Sequence, residues 1–184
     1  MSIGEQTYKT NEELIKACLS NNRKAQEVLY QQYAPKMFAI CKTYAKDRDE
    51  ACEFLQLGFI KVFQKLDQFS FNGSFEGWIR RIIVTSALQE LRKKKHYMLD
   101  VEEFADEVEE EVELKNVESL AFDKVIEFIN ELPRKAALVI KLYAVEGYSH
   151  KEIAEELGIT VSTSKSQLNR ARKLLNEKIE SINV

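Results

Sequence analysis

Proline occurs twice and glycine six times in the 184 residues. So few chain breakers, together with 3.6-residue apolar stripes along most of the sequence, exclude a turn-rich β-sandwich or barrel and predict an almost wholly helical protein. Cysteine is scarce as well: Cys18, Cys41 and Cys52 are odd in number, widely spaced and form no C-x-x-C pair. With His96 and His150 the only histidines, neither a zinc site nor a disulfide framework is expected, and no metal ligand is assigned. The three thiols are expected to pack between helices in a reducing compartment. No apolar run approaches the ~18 residues of a membrane span. The opening stretch MSIGEQTYKTNEELIK has no apolar signal-type core, so a cytoplasmic location without membrane insertion is expected. Signatures of catalysis are missing too. The histidines are isolated, no glycine-rich phosphate loop or nucleophile motif occurs, and the carboxylates cluster away from any apolar pocket, so neither enzymatic activity nor a cofactor is expected.

What the chain has in abundance is charge, unevenly placed. The formal net charge of −3 hides a tract from Asp100 to Glu118 with ten acids against one base, Lys115. That tract carries −9, so the rest of the chain carries +6, and LRKKK stands just ahead of it. Mutually repelling side chains favour an extended, solvated chain. Residues 97–118 therefore read as an acidic linker between two small helical domains, 1–96 and 119–184, in an all-α fold.

In the N-terminal half, Thr10 and Glu13 have capping-box spacing at the start of a first helix. A second helix, from about 23 to 45, contains Pro35, which should kink or restart it. Asp47 and Glu50 open a third, whose stripe of Ala51, Phe54, Leu55, Gly58, Phe59, Val62, Phe63 and Leu66 faces inward. Off that stripe lie Glu53, Gln56, Leu57, Ile60 and Gln64. Apolar Leu57 and Ile60 on a polar face suggest either a protein partner or a neighbouring helix of the same domain. Ser74 can cap a fourth helix, where Arg81, Thr85, Leu88 and Arg92 form one row opposite Trp78, Ile82 and Ser86. That cationic row beside the aromatic FSFNGSFEGW suits single-stranded nucleic acid, whose backbone sits in a groove while unstacked bases meet aromatic walls. An aromatic core, and lysines placed to complement the helix dipole, would explain the same residues without a ligand.

The C-terminal half carries a more specific pattern. The helix SHKEIAEEL, Gly158 able to leave it in a left-handed conformation, Ile159 at the corner and a new helix from about Thr160 give helix-turn-helix spacing. Val161, Ser164, Leu168, Ala171 and Leu175 form the inward row of the second helix. Ser162, Lys165, Ser166, Asn169, Arg170 and Lys173 are left facing out. Between Ser162 and Lys173 stand four cations and no acid. Such a face suits the major groove, where hydroxyl, amide and basic groups meet phosphates and base edges. A solvated face on a small bundle is the alternative.

Taken in order, DEACEFLQLGFIKVFQKLDQF, GSFEGWIRRIIVTSALQELRKKK and ELPRKAALVIKLYAVEGYSHKEIAEELGITVSTSKSQLNRARKLL resemble regions 2.2, 2.3–2.4 and 4 of the extracytoplasmic-function (ECF) sigma factors of bacterial RNA polymerase. The resemblance runs from about Asn11 to Glu177. It implies that Glu53, Gln56, Leu57, Phe59, Ile60 and Phe63 bind the clamp helices of the polymerase largest subunit, with the flap region of core polymerase as a further contact. It implies further that Ser70, Phe71, Asn72, Gly73, Ser74, Trp78, Arg80, Arg81, Thr85, Arg92, Lys93 and Lys94 recognise and open the promoter minus-10 element. Thr160, Ser162, Thr163, Lys165, Ser166, Asn169, Arg170, Arg172 and Lys173 would read the minus-35 element as duplex. An anti-sigma factor is the further partner implied. The pattern departs from the family at Cys52 and Leu57, where region 2.2 usually has carboxylates, at Thr85 and Gln89 for the usual Asn and Asp, and at Gln167 for a usual Arg. Two other functions stay open on sequence grounds: a sigma mimic that binds an anti-sigma factor without touching DNA, and a free-standing helix-turn-helix regulator.

Overall fold

The computed structural model describes residues 8–94, 112–114 and 121–182. Eight α-helices and no strand occur among the described residues: α1 (Asn11–Leu19), α2 (Arg23–Tyr44), α3 (Arg48–Gln64), α4 (Phe75–Lys93), α5 (Phe122–Asn130), α6 (Arg134–Ile140), α7 (His150–Leu157) and α8 (Val161–Ile182). The chain forms two compact units, 1–93 and 94–184. Of the linker expected at 97–118 only Val112–Leu114 is described; its two boundaries lie outside the described residues.

Local hydrogen bonds start the helices of the first unit. Thr10 Oγ1 accepts the Glu13 N–H at 3.2 Å, while the Glu13 carboxylate reaches back to the Lys9 N–H at 2.9 Å, one residue beyond the cap itself. Asn22 Oδ1 caps α2 through the Lys24 and Ala25 amides. Asp47 Oδ1 accepts the Glu50 N–H at 2.8 Å, a bond that holds the Asp47 carboxyl below the ordinary carboxylate range. Ser74 Oγ accepts the Gly77 N–H at 3.2 Å, as its position predicts.

Of the kink or restart expected at Pro35, the restart does not occur: α2 passes through it as one helix. Leu29, Tyr33, Met37 and Cys41 are all buried on either side of it, so packing against α3 and α4 maintains a helix that one lost N–H weakens. The inward stripe of α3 is found as predicted, with only Phe63 partly exposed. At its centre Gly58 lies so near α4 that an added Cβ would stand 2.4 Å from Ile83 Cδ1 and 3.3 Å from Ile83 Cα. The buried face of α4 is broader than predicted, running through Ile79, Ile83, Val84, Ser86, Ala87, Leu88 and Leu91. Leu88 is 1% exposed and does not belong to the outward row. The reason is that α4 packs on both α2 and α3, which a single stripe does not cover.

In the second unit Pro133 is the N-cap of α6. A single π-helical turn, Lys141–Val145, follows α6 and leads into the α7–α8 pair. Lys141 is buried within it, and burial, with the Arg134 charge nearby, pushes its ammonium pKa down to about 8. Ser149 closes a full capping box with Glu152 at the start of α7, and Gly158 ends that helix at φ 66°, the left-handed geometry its position requires. Cys18 and Cys41 are buried free thiols, with Cys52 partly exposed.

Candidate nucleic-acid interfaces

Thr160 begins the candidate reading helix: its Oγ1 accepts the Thr163 N–H at 3.0 Å and lies 2.8 Å from Thr163 Oγ1. Both threonines thus have a capping role beside any contact with DNA. From there α8 buries Ser164, Leu168, Ala171, Leu175 and Ile179. Ser162, Lys165, Arg170 and Lys173 are exposed, and Ser166 and Asn169 are partly exposed. Val161, expected in the inward row, is 43% exposed as the first residue of α8.

Ser164, the polar residue in the inward row, is fully buried and satisfied. His150 Nδ1 lies 2.9 Å from its Oγ, joining the start of α7 to the second helix across the turn. The Tyr143 ring stacks on His150 with centroids 4.8 Å apart, and the Arg172 guanidinium lies 5.8 Å over Tyr143. Arg172 is therefore partly committed to this stack. The arrangement was not legible in sequence, because its members are spread over thirty residues.

In the first unit a second basic surface is assembled. Arg81, Arg92, Lys93 and Lys94 are exposed, Arg80 and Thr85 half-buried. Lys93 pairs with Glu90 at 2.7 Å on the surface. The loop ahead of α4 divides its aromatics: Phe69 and Phe75 are core, Trp78 is half-buried, and Phe71 is 50% exposed. Phe71 has φ 60°, a costly backbone for a bulky residue, and its ring rests against Phe69 at 5.1 Å. Ser70, Asn72, Gly73 and Ser74 flank it, all exposed. Lys61 Nζ donates to Gln89 Oε1 at 2.6 Å, fixing the side chain that stands where relatives usually carry an acid.

On α3, Glu53, Gln56 and Ile60 are exposed, Ile60 at 53%, while Leu57 and Phe63 are half-buried. Phe59, buried as the inward stripe predicts, corrects the surface contact that the resemblance implies for it. At 3% exposure it lies beneath this face and supports it, edge-on to Tyr30 at 4.7 Å and 6.2 Å from Phe63. Tyr30, 38% exposed on α2, extends the apolar surface and was missed because it falls off the stripe of its own helix. Among the described residues no group of three His, Cys, Asp or Glu is placed to hold a metal ion, and no helix is long and apolar enough to cross a membrane.

This order of parts has counterparts in known proteins. Residues 29–97 match the family described as sigma-70 region 2, and residues 122–175 match sigma-70, region 4. The two together define a sigma factor of RNA polymerase. The ECF RNA polymerase sigma factor SigW of Bacillus subtilis is 30% identical over 82% of this chain and 86% of its own length. The ECF RNA polymerase sigma-E factor of Haemophilus influenzae is 27% identical over 94% of this chain and 97% of its own length. Among solved structures, the sigma factor RpoE bound to the anti-sigma factor NepR from Bartonella quintana is similar with a TM-score of 0.48 and 22% identity, over 84% of this chain and 96% of that one. The chain belongs to the ECF sigma factors, which direct promoter-specific initiation by RNA polymerase and are not a family of catalytic enzymes.

Proposed function

We propose that the units divide the work of initiation at residue level. Helix α3, through Glu53, Gln56, Leu57, Ile60 and Phe63 with Tyr30 beside them, grips the clamp helices of core polymerase. The loop 70–74, Trp78 and the α4 cations Arg80, Arg81, Arg92, Lys93 and Lys94 open the minus-10 element, with Thr85 beside them. Phe71 offers its ring to an unstacked base. Helix α8 reads minus-35 duplex with Ser162, Lys165, Ser166, Asn169, Arg170 and Lys173. The chain acts in the cytoplasm, by binding and without catalysis, and an anti-sigma factor holds it inactive by covering the α3 face.

The observation that carries this reading is the outward face of α8, where Ser162, Lys165, Arg170 and Lys173 are exposed together with no acid among them. The test is to mix the purified chain with sigma-free core polymerase of the same organism and follow co-elution on size exclusion, then transcription from promoters enriched by genomic binding. Co-elution and transcript start sites with two shared sequence elements are expected. Separate elution would favour a mimic that engages only an anti-sigma factor.

A further inference from the structure

One flank of α8 is already occupied. The Val112 N–H donates to Asn169 Oδ1 at 3.4 Å, and Asn176 Nδ2 donates to the Glu113 carbonyl at 2.9 Å. The two asparagines are seven residues apart, two turns along one side of the helix, and they take one donor and one acceptor from successive residues of a single extended segment. Val112 and Leu114 are half-buried, while Glu113 is exposed. Asn169 belongs to the face assigned to DNA. Its amide oxygen is here engaged by the chain's own backbone, and the Glu113 carboxylate, exposed beside it, would meet any phosphate strand approaching from that flank. The three residues preceding Val112 are Glu109, Glu110 and Glu111.

We infer that the Asn169–Asn176 flank of α8 is a docking surface for an extended peptide, that its occupant is this chain's own Val112–Leu114, and that duplex binding requires the occupant to leave. This rests on α8 being the reader of duplex DNA. Docking lowers the affinity of the free chain for DNA, and whatever pulls the linker away raises it. The energetic scale is that of two neutral hydrogen bonds, so release changes affinity by roughly fivefold, not by orders of magnitude.

The test uses the full chain and a labelled duplex of about three helical turns, followed by fluorescence anisotropy at fixed salt. Val112→Pro removes the donor to Asn169, and Asn176→Ala removes the donor to Glu113. Neither residue is assigned a DNA contact. Each variant removes one of the two bonds and is expected to bind the duplex roughly twofold more tightly, and the double variant roughly fivefold, with an unchanged circular dichroism spectrum. Hydrogen exchange supplies a readout that needs no substitution: the Val112 amide should be protected in the free chain and lose protection when DNA saturates it. Equal protection with and without DNA, or no tightening in either variant, overturns the docking. Arg170→Glu combined with Lys173→Glu separates the two levels. If that pair leaves duplex affinity unchanged, α8 is not the reader and the inference falls with that assignment. If it weakens binding while the docking variants do not tighten it, the docking alone is wrong.

Discussion

The two units hold their basic helices on apolar packing but add different fastenings to it. In the first, α4 is fixed by shape: Ile83 fills the space left by Gly58, and an aromatic cluster of Phe69, Phe75 and Trp78, with neighbouring centroids 4.9–5.8 Å apart, supports the loop that exposes Phe71. In the second, α8 buries Leu168, Ala171, Leu175 and Ile179 and is fastened further by polar contacts: the Thr160 cap, the buried His150–Ser164 pair that ties it to α7, and the stack of Arg172 on Tyr143. Apolar interlocking gives a rigid platform for a strained loop. Polar fastening suits a helix pair too small to bury much apolar surface.

The contrast can be broken from either side. Reversing charge at Arg92, Lys93 and Lys94 to glutamate should reduce promoter opening by about a hundredfold while polymerase binding is retained, as read by permanganate footprinting beside co-elution. Equal loss of both would make that helix end scaffold and not reader. Gly58→Ala should destabilise the first unit by about 1–3 kcal/mol through overpacking against Ile83. Trp78 is the chain's single tryptophan, so its fluorescence reports that unfolding alone. A variant as stable as the parent would show that the α3–α4 contact gives way easily.

The second unit should answer instead to pH and to caps. Lys141 has a folded pKa of about 8 against an ordinary 10.5. Above 10.5 it is neutral in both states and carries no penalty; as pH falls toward 8 the unfolded chain takes up the proton first, so stability drops, and below 8 the full penalty persists. Lys141→Met should therefore flatten the rise in thermal midpoint between pH 8 and 10 and stabilise the unit at pH 7 by roughly 1–3 kcal/mol. Identical pH profiles would place the ammonium in water. Ser149→Ala should cost about 1 kcal/mol in urea unfolding, the loss of one cap, with the first unit unaffected.

Features that depend on a few consecutive residues were legible before any coordinates. The helix starts at Thr10, Asp47 and Ser74 and the left-handed Gly158 all follow from neighbours within four positions. The inward stripe of α3 was legible too, since one period describes one buried face. The broad face of α4 was not, because its width depends on how two other helices lie against it. The exposure of Val161 is not written in a helical wheel, which knows direction but not what stands there. The His150–Ser164 bond joins residues fourteen apart in sequence, and only the folded turn makes them neighbours. The outward cations of α8 were predicted because charge, unlike an apolar residue, is rarely left anywhere but at the surface.

Gly58 has a mechanical consequence. Where α3 and α4 come this close, a methyl group could be added only if Ile83 gave way, so sliding of one helix along the other meets a steric stop at Gly58. Ile60, two residues further along α3, and the lysines at the end of α4 therefore stand on a frame whose register is set by a missing side chain.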